Sequence, residues 1–99
     1  MTLNDLIFIN LMEECAEVTQ AASKCIRFTR NHKYYEESNI ERLNEEIQQL
    51  QALLIVLQKV EKDINLDHSK VEAYAHKLFA NLKLSIEMTN KELSNVSTD

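Results

Sequence analysis

The sequence contains no glycine and no proline, and this absence limits the possible folds more than any other feature. An average chain has about seven glycines and five prolines per hundred residues. Motifs that need a glycine backbone are excluded, among them the dinucleotide fingerprint, the P-loop, the nucleophile elbow and the EF-hand loop. Tight β-hairpins are disfavoured as well, because their turns usually contain Asn-Gly or Asp-Gly. The chain is therefore predicted to form long helices.

Length and charge narrow the class of protein. A chain of 99 residues predicts a single domain over residues 1–99 with a modest core. A net charge of −5 argues against binding to duplex nucleic acid, which usually requires a basic surface. The apolar run at residues 53–57 is too short to span a membrane, and the N-terminus lacks the layout of a signal peptide. We therefore expect a cytoplasmic protein that binds no membrane.

Apolar residues recur at helical spacing in three segments, which predicts three helices. These helices cover approximately residues 3–29, 39–62 and 67–93, and residues 94–99 are expected to form a frayed tail. Three long rods form an incomplete bundle, and a second copy would complete it. The predicted fold is thus an all-α antiparallel bundle of about three long helices, completed by homo-oligomerisation.

Two of the predicted helix starts carry capping residues. Thr2 and Asp5 form a weak capping box before the first helix, and Ser38 and Glu41 form a clear S-x-x-E box before the second. Helices often end at a residue in the left-handed region, usually glycine and sometimes asparagine. Without glycine, we expect the helix ends either to unravel or to use an asparagine: Asn31, Asn39 or Asn65.

Acidic side chains interrupt the apolar stripes of the first two helices. On a helical wheel, Glu14 lies inside the apolar arc of the first helix, and Glu17 lies at its margin. Glu46 lies inside the arc of the second helix, with Gln49 at its margin. If the two helices form an antiparallel hairpin, these four side chains can converge.

Converging carboxylates repel one another, so either their pKa values rise or a cation neutralises them. Oxygen ligands without a nearby cysteine or histidine pattern favour Mg²⁺ or Mn²⁺ over zinc. The alternative is that Glu14 and Glu46 lie at the edge of the bundle, where they reach water or pair with a basic side chain. The basic residues available for such pairing are Lys24, Arg27 and Arg42.

Three segments of the first two helices carry a family resemblance. They are EECAEV at residues 13–18, AASKCIRF at residues 21–28 and ERLNEEI at residues 41–47. Together they resemble the MazG-like all-α nucleoside triphosphate pyrophosphatases, particularly the small single-domain forms of phages and bacteria. The family motif is E-x-x-E, followed after a gap by E-x-x-D. The resemblance covers approximately residues 5–60.

The resemblance implies an enzyme and assigns roles to its site. Glu14 and Glu17 match the first motif, and Glu46 matches the glutamate of the second. In this family such carboxylates hold Mg²⁺ on a triphosphate, which is hydrolysed to a monophosphate and pyrophosphate. The three glutamates are therefore the expected metal ligands and catalytic residues. A nucleoside triphosphate is the expected substrate, and a homodimer or homotetramer in the cytoplasm of a bacterium or phage-infected host is the expected form.

Three further residues are expected to contact the metal or the substrate. Lys24 lies two turns beyond Glu17 on the same flank of the helix, where it would meet phosphates. Arg27 is a second candidate, although the helix macrodipole favours a cation at that position in any case. Gln49 occupies the position of the family's aspartate, and its neutral carbonyl oxygen can still bind a hard cation. Glu45 points to the polar side of the helix and is a poor substitute.

The missing aspartate leaves other functions open. The loss of one negative charge at position 49 would weaken metal binding or abolish turnover. A second hypothesis is therefore a catalytically inactive MazG-like module that binds a nucleotide or a protein. A third sets the resemblance aside and treats the apolar stripes as dimer seams of a helical interaction module.

Overall fold

The structure is a computed structural model that describes residues 1–34 and 36–96, without the side chains of Tyr34 and Val96. The all-α class is confirmed, because three long helices contain most of the described residues. A short two-stranded pair lies between the first two helices. The elements in chain order are α1 (Leu3–Arg27), β1 (Lys33–Tyr34), β2 (Glu37–Ser38), α2 (Asn39–Val60) and α3 (His68–Val96).

The chain divides into two compact units, Met1–Asn65 and Leu66–Asp99. The first unit contains α1, the strand pair and α2, and the second contains α3. α1 and α2 end slightly before the predicted boundaries, whereas α3 continues beyond its predicted end at Leu93. Residues 97–99 of the predicted tail lie outside the described part of the chain.

Capping side chains fix the starts of the helices, as the sequence indicates. The hydroxyl of Thr2 accepts a hydrogen bond from the Asp5 N–H at 3.1 Å, and the Asp5 carboxylate accepts one from the Thr2 N–H at 3.0 Å. This reciprocal contact is the predicted capping box. At α2 the Ser38 hydroxyl accepts from the Glu41 N–H at 3.2 Å, which is one of the two hydrogen bonds of the predicted box. At the start of α3, the Asp67 carboxylate accepts from the first backbone N–H groups.

α1 and α2 form an antiparallel hairpin with a small core. The side-chain amide of Asn4, near the start of α1, donates to the carboxylate of Glu61, just beyond α2, at 2.8 Å. This contact joins the N-terminal end of α1 to the C-terminal end of α2. The buried apolar side chains of this unit are Ile7, Ala21 and Leu57. The antiparallel arrangement predicted for these two helices is therefore present.

The joint between the helices contains a β-pair that the sequence argument disfavours. Lys33 pairs with Ser38 and Tyr34 pairs with Glu37, in antiparallel register. The disfavoured hairpin forms here with strands of only two residues each, and a backbone hydrogen bond to the start of α2 stabilises it. The Asn39 N–H donates to the His32 carbonyl at 3.0 Å. A helix leaves its first N–H groups unpaired, so a loop carbonyl placed there satisfies one of them.

α1 ends neither at an asparagine in the left-handed region nor in an unravelled turn. Phe28 is the C-cap, and Thr29 follows with φ of 68°. A branched side chain in this left-handed region is unusual, because its Cβ crowds the backbone. The buried side chain of Asn39 donates to the Thr29 carbonyl at 2.9 Å and reaches the Lys24 carbonyl at 3.5 Å. Asn39 thus acts at the end of α1 from its position in α2.

α3 is a 29-residue amphipathic helix. Its described side chains are all exposed. They include the apolar residues Val71, Tyr74, Leu78, Leu82 and Ile86. Among the described residues, no helix has the length and apolar character needed to cross a bilayer. Completion of a bundle by a second copy stays a prediction.

Candidate metal centre

Three glutamates from α1 and α2 meet across the helical hairpin. Glu14 and Glu17 lie one turn apart on α1, and the antiparallel packing brings Glu46 of α2 beside them. One carboxylate oxygen from each residue lies within 4.8 Å of the other two. The structure therefore brings together three of the four side chains whose convergence was expected from the helical wheel.

These carboxylates differ in their exposure to water. Glu46 is only 3% exposed, Glu14 is half-buried and Glu17 is exposed. Among the described residues, neither Oε1 of Glu14 nor Oε2 of Glu46 has a hydrogen-bond partner, although both atoms are buried. A buried acceptor without a partner destabilises the folded chain, and a native structure normally satisfies such a group with a donor, water or ion. A cation, or a proton shared by the two carboxylates, would satisfy both oxygens.

The environment of Glu14 raises the pKa of its carboxyl group from 4.5 to about 7. The largest cause is desolvation by the packed helices, followed by the neighbouring carboxylate of Glu46 and then that of Glu17. Both effects disfavour the charged form of an acid. A divalent cation between the three carboxylates would reverse this effect, because it favours their charged forms.

Arg42 neutralises part of this negative charge. Its Nε lies 3.1 Å from Oε1 of Glu46, four residues later on the same helix. Its Nη1 lies 4.0 Å from Oε2 of Glu37 in β2. The pairing with Arg42 that the sequence left open is therefore present. It involves one oxygen of Glu46 and leaves Oε2 of the same carboxylate without a partner among the described residues.

A cleft of about 1150 Å³ lies beside the carboxylate cluster. Glu17 and Glu46 belong to its lining, so the cluster borders the cleft. Lys24, His32 and Arg42 belong to the same lining. The lining also carries Glu36 and Glu37, and Arg42 lies against Glu37 and Glu46, so an anionic ligand there would have to bring a cation with it. The other lining residues are Gln20, Ala21, Phe28, Ser38 and Asn39.

Two of the expected site residues lie outside this arrangement. The guanidinium carbon of Arg27 lies 5.1 Å from the ring centroid of Phe28, which is a cation–π distance. Arg27 does not belong to the cleft lining formed by the described residues. Gln49 follows Glu46 by one turn of α2, but its side chain is exposed and it too lies outside that lining.

Sequence reasoning did not assign a site role to several residues of the cleft. Arg42 had a local signal, since its spacing from Glu46 places both side chains on one face of the helix. Ser38 and Asn39 had no such signal, because the joint between α1 and α2 brings them to the cleft. Their positions depend on backbone hydrogen bonds between residues distant in sequence.

Comparisons with family models, curated proteins and solved structures found no match to this chain. The class of protein therefore follows from the fold and the site alone. The first unit is a helical hairpin that holds a three-carboxylate cluster beside a cleft with basic groups. This donor set, composed of carboxylate oxygens, fits a hard divalent cation such as Mg²⁺ or Mn²⁺.

Proposed function

We propose that the protein is a Mg²⁺-dependent hydrolase of nucleoside triphosphates that releases pyrophosphate and a nucleoside monophosphate, with Mn²⁺ as an alternative ion. The main support is the pair of buried, unpartnered oxygens of Glu14 and Glu46 beside a cleft with basic side chains. The resemblance of residues 13–18, 21–28 and 41–47 to MazG-like pyrophosphatases favours the same reaction.

The three clustered glutamates would hold the ion, and they differ in what else they can do. Bound Mg²⁺ neutralises a polyphosphate and lowers the pKa of water. Glu46 is the most buried ligand and sits on the opposite helix from the other two, so it fixes the site across the hairpin. The ion would reverse the raised pKa of Glu14, so this carboxylate would bind it in the charged form. Glu17 is exposed and faces the cleft, where an incoming ligand would first meet the cluster.

The basic residues of the cleft would bind the phosphate groups. Lys24 and Arg42 lie in the same lining as two of the carboxylates, so an anion bound there lies close to the proposed ion. His32 belongs to the same lining. Arg27 stacks on Phe28 and lies outside the lining, so its role in substrate binding stays a prediction.

A second candidate function is a module that binds nucleotides without hydrolysing them. Two observations favour it. Arg42 already occupies one oxygen of Glu46, and Gln49 supplies no charge and is exposed. A cluster with fewer free negative charges holds a divalent ion less tightly. Both candidate functions include assembly as a homodimer or homotetramer, since the apolar side chains of α3 are exposed in one copy. Both also include a location in the cytoplasm.

The test is the release of pyrophosphate from a panel of ribo- and deoxyribonucleoside triphosphates in the presence of Mg²⁺. Glu46→Gln should abolish the release because it removes the charge of the most buried ligand while keeping its shape. Glu45→Gln is the matched control, since Glu45 is exposed on the same helix, and it should keep the activity. Circular dichroism verifies that both variants fold.

Three outcomes separate the candidate functions. Release that is lost only in Glu46→Gln supports the hydrolase. Absence of release, combined with a rise in melting temperature that requires both Mg²⁺ and a nucleotide, supports the binding module. If neither Mg²⁺ nor nucleotide changes the melting temperature and no pyrophosphate forms, both proposals are wrong.

A further inference from the structure

We propose that Arg42 is an exchangeable counter-ion, which pairs with Glu46 in the ion-free protein and moves to the phosphate groups of the ligand when a divalent cation binds. This inference rests on the proposed function, because it assumes that the three-glutamate cluster binds an ion. It adds a residue and a sequence of events that the motif resemblance does not contain. The ligand it implies is a complex of a divalent cation with a polyphosphate.

The ion pair places Arg42 in competition with the cation. Its Nε lies 3.1 Å from Oε1 of Glu46, and Glu46 contributes one of the three oxygens that cluster within 4.8 Å. A guanidinium in that position repels a divalent cation bound to the same carboxylate. Its positive charge also offsets part of the negative charge of the three carboxylates. Binding of an ion alone is therefore opposed until Arg42 moves away.

Arg42 can move without disturbing the buried core. Its side chain is 60% exposed, whereas that of Glu46 is 4% exposed. Within a helix, an acidic residue followed by a basic one at i+4 is the more favourable order, and here the order is reversed. Glu37 lies 4.0 Å from the second nitrogen of Arg42, which is a looser contact. The ion pair of Arg42 with Glu46 is thus stabilised mainly by the closeness of the guanidinium to the buried Glu46 carboxylate.

The cleft provides a destination for the guanidinium. Arg42 belongs to its lining together with Lys24, so a polyphosphate bound there lies within reach of both side chains. Arginine binds phosphate oxygens in a bidentate manner, which makes this contact stronger than one with a single oxygen. After the exchange, the cation neutralises the charge of Glu46 and the phosphate neutralises the charge of Arg42. Ion and anion should therefore bind with positive coupling.

The experiment measures the two binding events separately in Arg42→Gln. Binding of Mn²⁺ alone is followed by the electron paramagnetic resonance signal of the free ion. Binding of the preformed complex of Mg²⁺ with inorganic pyrophosphate is followed by calorimetry. In Arg42→Gln we expect Mn²⁺ alone to bind about tenfold more tightly and the pyrophosphate complex about tenfold more weakly, a range typical of coupled sites.

The opposite signs distinguish an exchange from a structural effect, because a variant that damages the fold weakens both ligands. Arg30→Gln is the matched control. Arg30 is exposed in the joint, and its loss changes the net charge equally, so both affinities should stay at the wild-type values. Arg42→Lys keeps the charge without the bidentate geometry. Its affinity for Mn²⁺ should therefore be as low as that of the wild type, and its affinity for the pyrophosphate complex should lie between those of the wild type and Arg42→Gln.

Two results would overturn the inference in different ways. If the wild-type protein binds both ligands but Arg42→Gln changes neither affinity, or shifts both in the same direction, Arg42 is not an exchangeable counter-ion and the proposed function is unaffected. If the wild-type protein binds neither Mn²⁺ nor the magnesium pyrophosphate complex, the proposed ion site itself is wrong, and the inference falls with it.

Discussion

The raised pKa of Glu14 makes a quantitative prediction about ion binding at the candidate metal centre. A carboxyl group must lose its proton to bind a cation, so protonation competes with the ion. With a pKa of about 7, this competition weakens binding by a factor of about 1.1 at pH 8 and about 11 at pH 6. The dissociation constant for Mg²⁺ should therefore rise about tenfold from pH 8 to pH 6.

Calorimetric titration with MgCl₂ at pH 6, 7 and 8, at constant ionic strength, measures this dependence directly. At pH 7, binding should release about half a proton per ion, detectable as a difference between buffers of unlike ionisation enthalpy. Glu14→Gln should bind the ion more weakly at every pH, because a charge is lost, but without the tenfold change. Glu13→Gln is the control, since Glu13 is exposed on the same helix and should behave like the wild type.

The same shift predicts how the stability of the ion-free protein depends on pH. Because the pKa of Glu14 is raised in the folded state, the folded chain binds more protons than the unfolded chain between the two pKa values, 4.5 and about 7. The contribution of Glu14 to stability is therefore present at low pH and is lost as the pH rises through this window. Relative to Glu14→Gln, the wild-type melting temperature should fall from pH 5 to pH 8, and Mg²⁺ should oppose the fall.

Two results would refute this reasoning. Equal affinity of the wild type for Mg²⁺ at pH 6 and pH 8 would mean that Glu14 does not titrate near neutrality or does not bind the ion. A tenfold change that persists in Glu14→Gln would assign the titration to another group in the cleft.

Three further substitutions test the site and the joint. Gln49→Asp should enlarge the rise in melting temperature caused by Mg²⁺, because it adds a charge one turn after Glu46; equal shifts in fluorescence-monitored melts would contradict this. Asn39→Ala should lower the free energy of unfolding by about 1–3 kcal/mol, because carbonyls at the end of α1 lose their donor. In urea titrations the exposed control Asn10→Ala should lose less than about 0.5 kcal/mol, and equal losses would count against the connecting role. Thr29→Gly should raise the free energy of unfolding by about 1 kcal/mol, since it relieves the left-handed strain; a decrease would mean that the threonine side chain has a stabilising contact.

Helix starts were predictable because the signals that fix them are local. The capping box of Thr2 and Asp5 and the hydroxyl cap of Ser38 act within three residues of the sequence. Their geometry follows from helix structure alone, and tertiary contacts are not needed to form them. Among the described residues, the reciprocal box is complete at α1, whereas the box predicted at α2 is present only as its hydroxyl half.

The joint between α1 and α2 was not predictable by the same means. The sequence indicates Asn39 only as a possible helix end, whereas its side chain supports the end of the preceding helix through Thr29. That contact joins residues ten positions apart and exists only after the hairpin forms. The positive φ of Thr29 is equally hidden, since a β-branched residue is a poor choice for the left-handed region.

The candidate site was predictable in part. The helical wheel identified Glu14 and Glu46 because a carboxylate inside an apolar stripe conflicts with the pattern around it. It placed Gln49 at the margin of the same stripe, but the packing leaves its side chain exposed. A wheel gives the direction of a side chain relative to its own helix. The position of the other helix decides whether that direction leads into the site.

The same contacts determine both the fold of the first unit and the shape of its cleft. Without glycine, a phosphate cannot be held by a tight backbone loop, so the side chains must form the binding wall. That wall includes His32 and Asn39 of the joint. Asn39 also fixes the joint by donating to the Thr29 carbonyl, so its side chain positions one wall of the cleft relative to α1. Substitutions that loosen the joint should therefore displace the basic groups of the cleft from the carboxylate cluster while the two helices remain folded.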